Sequence, residues 1–206
     1  MTYNQVILKF KSMLLTIIRH GETIENINGL IQGHLPGKLS VKGKEQAARL
    51  SLELSSYNFS KIFSSDLKRA HDTCIKILER LPNIEIIVTS DIRERSFGSL
   101  EGKRKCDIPD YKGNITDLNS VDGESLDELF KRANIFLKYL EDTYQSESIL
   151  IISHNSFNKA LIKSALKDKI GNISSIPNFE NASITQLIYE KGSYSIIKYN
   201  NIEHLK

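Results

Sequence analysis

Met13-Leu14-Leu15-Thr16-Ile17-Ile18, running straight into Arg19-His20, and Ser148-Ile149-Leu150-Ile151-Ile152, running into Ser153-His154, decide how this chain is read. Both are short, continuous, predominantly apolar runs. That pattern suits strands buried on both faces of a parallel sheet. Lys61–Phe63, closed by Ser64 and Ser65, and the β-branched Ile84–Val88 read the same way. Helical stripes lie between them. Leu67, Ala70, Cys74, Ile77, Leu78 and Leu81 recur at steps of three and four behind Asp66 as an expected N-cap. Leu126, Leu129, Phe130, Ala133, Phe136, Leu137 and Leu140 form a second stripe, opened by the capping-box pair Ser125 and Glu128. Phe157, Ala160, Leu161 and Ala165 mark a third helix, and Val41–Leu54 a weaker one behind Ser40. Near the end, Ser183–Tyr189 and Tyr194–Tyr199 flank a turn containing Gly192, which reads as a hairpin. Strands alternating with helices predict a three-layer α/β/α sandwich with a mostly parallel central sheet and a C-terminal edge hairpin.

The 206 residues suit one domain, expected over 13–206, with residues 1–12 as a mixed leader and Met13 as an alternative start. Lys and Arg number 28 against 25 Asp and Glu, a net charge of +3 that is too weak to argue for nucleic acid. The run at 13–18 is far short of the ~20 residues a membrane span needs, and Arg19-His20 does not resemble a signal-peptide cleavage site. Cys74 and Cys106 are distant and form no C-x-x-C, so a reducing, cytoplasmic setting is expected.

The polar residues fall at one kind of place. Arg19-His20 follows the first strand, Arg69 lies in the first turn of the helix after the second, and Ser153-His154 follows the 148–152 strand. Open α/β sheets bind ligands outside the carboxyl ends of their strands. Two guanidiniums among two imidazoles would repel a metal cation. They would suit a phosphoryl group, which arginine clamps with a planar fork of donors.

These residues also resemble a family. Arg19-His20-Gly21-Glu22-Thr23 is similar to the R-H-G-E-T signature of the histidine phosphatase superfamily, which includes the phosphoglycerate mutase-like enzymes. Asn26 and Gly29-Leu30-Ile31-Gln32-Gly33 follow at the expected distance. Leu39–Ala47, Ser64–Ala70 with Thr73, Arg93–Gly98 with Glu101-Gly102, Gly123-Glu124-Ser125, Ser153-His154 and the tail Asn200, His204 and Leu205 complete the ordered blocks. The resemblance implies a phosphohistidine formed on His20. Arg19, Arg69 and His154 would hold the equatorial oxygens, and Glu94 would serve as acid and then base. Asn26, Gln32, Gly33 and Asn155 are the implied substrate-binding residues; no metal or cofactor is called for. Two positions depart from the pattern. Asn155 stands where glycine often follows the second histidine, and His34–Leu39 lacks the common D-x-P-L form.

Each residue also has a bland reading. His20 could be a solvated loop histidine, Arg69 a helix-face arginine, His154 a helix cap, and Glu94 part of a surface cluster with Arg93 and Arg95. The ordered blocks outweigh these. Ser153 is expected to support its loop, His71 and His204 to be structural, and Cys74 to be a core thiol. Lys103-Arg104-Lys105 is a solvated charge run or a second-phosphate contact. Twenty residues, Lys103–Asp122, separate Glu101-Gly102 from Gly123-Glu124-Ser125, fewer than the phosphoglycerate mutases of this superfamily usually carry there. The expectation is therefore a metal-independent phosphomonoester hydrolase acting on a small phosphorylated metabolite. A mutase is the alternative, and a catalytically silent phospho-ligand-binding protein is disfavoured by the retained His20, Arg69, Glu94 and His154.

Overall fold

The computed structural model describes residues 12–81, 83–108, 121–167, 173 and 176–206. The expected leader, apart from Ser12, and residues 109–120 of the Lys103–Asp122 segment lie outside them. The elements in chain order are β1 (Met13–Arg19), α1 (Ile24–Ile27), α2 (Val41–Leu54), β2 (Lys61–Ser65), α3 (Lys68–Leu78), β3 (Ile86–Thr89), α4 (Leu126–Thr143), β4 (Ser148–Ser153), α5 (Asn155–Ala165), β5 (Ile184–Glu190) and β6 (Ser193–Asn201), with short 3-10 turns between. One six-stranded sheet has the order β3-β2-β4-β1-β5-β6. The first four strands are parallel, and β5 and β6 add the antiparallel edge hairpin.

The continuous runs resolve into two faces because successive side chains of a strand point to opposite sides. Leu15, Ile17, Ile149 and Ile151 enter one core with Phe130 and Phe136 of α4 and Phe157 of α5. Ile18, Leu150 and Ile152 enter the other with Leu50 of α2 and Cys74 and Ile77 of α3. The expected sandwich is the observed one. Ser40 accepts from the Gly43 amide at 2.9 Å, and Ser125 and Glu128 form the reciprocal capping box. Two local expectations are corrected. Leu67, not Asp66, occupies the N-cap of α3, without a side-chain cap; the Asp66 carboxylate is taken instead by the Arg93 guanidinium. The third strand is Ile86–Thr89 rather than Ile84–Val88, because pairing with Ile62–Ser65 selects that register.

Register places the chemistry. In the β1–β4 pairing Arg19 lies opposite Ser153, so His20 and His154 leave the sheet side by side, and the His20 amide donates to the Ser153 carbonyl at 3.0 Å. β2 is the other neighbour of β4, which brings Ser65 and the first turn of α3 alongside. The backbone after His20 packs directly on the start of α2. A Cβ on Gly43 would lie 1.9 Å from the Glu22 carbonyl oxygen. Backbone cannot yield as a flexible side chain can, so Gly43→Ala is expected to lower stability by about 2 kcal/mol or more, read as a drop in thermal midpoint. An unchanged midpoint would show that this contact relaxes freely.

Candidate active site

His20 is 2 % exposed. Its Nδ1 lies 2.8 Å from the Gly21 carbonyl, which can only accept, so Nδ1 carries the proton. Nε2 is then the lone-pair nitrogen, and the Arg69 Nε–H donates to it at 3.2 Å. Burial first, then Arg69 and Arg19, push the His20 pKa well below its ordinary value. The ring is thus neutral and of fixed tautomer, with a lone pair on Nε2.

Arg69 is 1 % exposed and spans the site. Besides meeting His20, it donates to the Leu35 carbonyl at 2.6 Å and the Gly33 carbonyl at 2.8 Å. Burial lowers its pKa to about 10, which leaves it charged at neutral pH. Gly33 has φ +47°, and a Cβ there would fall 2.1 Å from the Glu101 side chain, so this turn requires glycine. Arg19 donates to the Phe179 carbonyl, while its buried Nε has no hydrogen-bond partner among the described residues. The His154 ring centroid is 5.2 Å from that of His20. Its Nε2 meets Ser65 Oγ at 2.9 Å, and its buried Nδ1 has no partner among the described residues. Burial first, then Arg69, depresses its pKa as well.

These two depressed histidines give a signed pH effect. Both stay neutral in the folded chain, whereas unfolded imidazoles take protons near pH 6.5. Below that pH the unfolded state binds more protons. Stability is therefore fully present above about 6.5 and falls as the pH drops toward the depressed folded values, by up to about 2.7 kcal/mol per pH unit for the pair. Urea midpoints at pH 7.5, 6.0 and 5.0 should decline in that order; a flat series contradicts the burial of two neutral rings.

Glu94 lies on the loop after β3 and is fastened from several sides. Its Oε1 accepts from the amides of Arg95 (2.9 Å), Ser156 (2.9 Å) and Phe157 (3.3 Å), the latter two at the N-terminus of α5, where a carboxylate suits the helix dipole. Ser153 Oγ donates to the Ile92 carbonyl at 2.7 Å, a supporting role as expected. Three further groups were given no site role from the sequence. Arg132 of α4 donates to the carbonyls of Asp91 and Arg93 and pairs with Glu124. His34 Nε2 lies 2.9 Å from the Glu94 carbonyl. Glu101 Oε1 accepts from the amides of His34 and Phe97, tying two site loops together. Glu101-Gly102 had been legible only as part of a block; nothing local linked Arg132 or His34 to Glu94.

Arg19, His20, Arg69 and Glu94 line one cavity of about 170 Å³, together with the four expected substrate-binding residues. Asn26 there also caps α1, accepting from the Thr23 amide, and accepts from Asn181. Gln32 keeps a buried Oε1 without a partner among the described residues. Both amide atoms of Asn155 are engaged by Asn178 and Phe179. His154 is not among the residues that line the cavity; its ring packs against that of His20. Lys105, from the run read as a solvated charge cluster or a second-phosphate contact, also lines it, as does Lys159, which was not in the expected site. His204 meets the Ala182 carbonyl, and Asn200 the Glu180 amide, so the tail braces the segment whose Ala182 amide reaches the His20 carbonyl. Burial raises the Cys74 thiol to about 11, in keeping with a core position. Among the described residues no group of three or more His, Cys, Asp or Glu is placed to hold a metal, and no helix is long and apolar enough to cross a membrane.

A neutral imidazole between guanidiniums at the carboxyl ends of parallel strands defines an α/β enzyme site for phosphoryl groups. The chain belongs to the histidine phosphatase superfamily (branch 1), whose family model matches residues 15–202, and it is accordingly a histidine phosphatase. It is 29% identical over 203 residues to phosphoglycerate mutase-like protein 4 of Arabidopsis thaliana, covering 93% of this chain and 86% of that one. It is 27% identical over 201 residues to the metal-independent phosphoserine phosphatase of the same plant, covering 93% and 82%. A mutant phosphoserine phosphatase of Entamoeba histolytica, solved in complex with phosphoserine, superposes with a TM-score of 0.82 at 26% identity, covering 94% of this chain and 100% of that one.

Proposed function

We propose that this phosphatase hydrolyses a small phosphorylated metabolite through a phosphohistidine on His20, without a metal. The observation that carries this reading is the tautomer: Nδ1 is tied to the Gly21 carbonyl and the Nε2 lone pair is held by Arg69. Nε2 attacks phosphorus, the ester P–O bond breaks with its electron pair leaving on oxygen, and protonated Glu94 gives that oxygen a proton. Glu94 then takes a proton from water, whose oxygen attacks phosphorus; the P–N bond breaks and its pair returns to Nε2. Arg19 and Arg69 neutralise the non-bridging oxygens throughout; His154, outside the cavity lining but with its ring against that of His20 and its Nδ1 without a partner among the described residues, is assigned to the phosphoryl group as it forms on Nε2. Asn26, Gln32, Gly33 and Asn155 shape the wall that meets the substrate. The cavity volume supports a small ester rather than a macromolecule, and the cationic wall supports a mechanism in which side chains replace a metal. The free Cys74 and Cys106 thiols support a reducing, cytoplasmic setting.

The test is phosphate release over sugar phosphates, phosphoglycerates, nucleotides, phosphoamino acids and p-nitrophenyl phosphate, with and without EDTA, and with acid-stopped trapping of phosphoenzyme. Turnover indifferent to EDTA is expected. Turnover abolished by the chelator refutes the metal-free route, and interconversion of phosphoglycerates faster than phosphate release, with bisphosphoglycerate present, shows a mutase.

A further inference from the structure

Lys159 lies on α5 and is 3 % exposed, with its residual surface in the cavity wall. Among the described residues it has no hydrogen-bond or ion-pair partner. A buried ammonium without a counterion is costly, and proteins rarely keep one unless something pairs with it. The nearby carboxylate does not serve: Glu94 already accepts three backbone N–H groups and forms no ion pair with Lys159. Lys105, at the cavity mouth, is exposed and lines the same space.

Charge balance points the same way. Setting aside Arg95, which has partners of its own, the described residues of the wall present Arg19, Arg69, Lys105 and Lys159 against one carboxylate, that of Glu94. With Glu94 protonated, as the proposed first step requires, a phosphate dianion offsets only two of those four charges; even with Glu94 ionised one charge is left over. Placement then separates the cations. Arg69 meets His20, whereas Lys159 lies on α5 within one turn of Ser156 and Phe157, whose amides donate to Glu94 Oε1. Lys159 thus stands on the Glu94 side of the cavity, and in the mechanism above Glu94 faces the departing alcohol.

We propose that Lys159 binds a second anionic group, a carboxylate or a further phosphate, on the alcohol portion of the substrate, with Lys105 assisting at the mouth. The physiological substrates are then acidic phosphomonoesters. This assignment rests on the phosphohistidine reading.

Matched substrates test it. Phosphoserine and phosphoethanolamine differ by one carboxylate. 3-Phosphoglycerate and glycerol 3-phosphate differ by a carboxylate in place of a hydroxymethyl group. Fructose 1,6-bisphosphate and fructose 6-phosphate differ by one phosphate. The wild-type chain is expected to favour the more acidic member of at least one pair by about tenfold or more in kcat/KM, as loss of a charge-assisted contact implies. The responding pairs distinguish carboxylate from phosphate. In Lys159→Met that ratio should collapse to within about threefold of unity, and Lys159→Arg should retain most of it. Each ratio is taken within one protein, so a general loss of activity cancels. Ratios near unity for every pair in the wild type overturn the proposal without any variant, as does a ratio unchanged in Lys159→Met or, should that variant not fold, in Lys159→Gln. Hydrolysis of p-nitrophenyl phosphate alongside flat ratios removes only the lysine assignment. No hydrolysis of any ester removes the phosphohistidine reading and this inference with it.

Discussion

His20→Ala is expected to cut phosphate release by roughly 10⁴-fold or more and to leave no phosphoenzyme on acid quench, because in the proposed mechanism His20 is the group that takes the phosphoryl unit. His154 is a neighbouring imidazole, but its Nε2 meets Ser65 Oγ and it is not among the residues that line the cavity. The variant should still fold. Its losses are a buried ring, the contact to the Gly21 carbonyl and the acceptor for Arg69 Nε, which together cost about 2–4 kcal/mol. Far-UV circular dichroism and the unfolding midpoint separate that cost from the chemical one. Retention of even one-hundredth of the wild-type rate, about two orders above expectation, means that another nucleophile or a direct attack by water is at work.

Arg69→Gln is expected to lower kcat/KM by about 10³-fold, mostly through kcat, since the guanidinium acts on charge that grows in the transition state. Stability should fall by about 2–4 kcal/mol, because the carbonyls of Gly33 and Leu35 lose a shared buried donor. Arg69→Lys should recover less than about tenfold of the lost activity: an ammonium cannot meet His20 Nε2 and two carbonyls in one plane. A separate readout isolates the electrostatics. Arg69 is one of the groups that depress the His20 pKa, so the His20 ring should titrate at higher pH in Arg69→Gln when followed by NMR. An unmoved titration, or an activity loss below tenfold, would leave Arg69 as a loop support only.

The strands were legible because continuous apolar runs of four to six residues have few other stable uses in a soluble chain, and the two sheet faces followed from side-chain alternation. Capping at Ser40 and Ser125 was legible for the same local reason: the hydroxyl and the amide it meets are three residues apart. The Asp66 cap misled because a distant guanidinium, Arg93, competes for that carboxylate. His34 and Arg132 hold the Glu94 loop across separations of 60 and 38–41 residues, and no local spacing encodes such contacts.

What the sequence by itself determined was the order of strands and helices and the residue types that stand at the strand ends, since both depend on periodicity and on near neighbours in the chain. Only the tertiary structure decided that Arg19 and Ser153 share a register and so set His20 beside His154, which imidazole nitrogen holds the lone pair, and that Lys159 is buried with no ion-pair partner among the described residues. Those properties belong to groups brought together from elements far apart in the chain, and burial and hydrogen-bond geometry exist only once the sheet has closed around them.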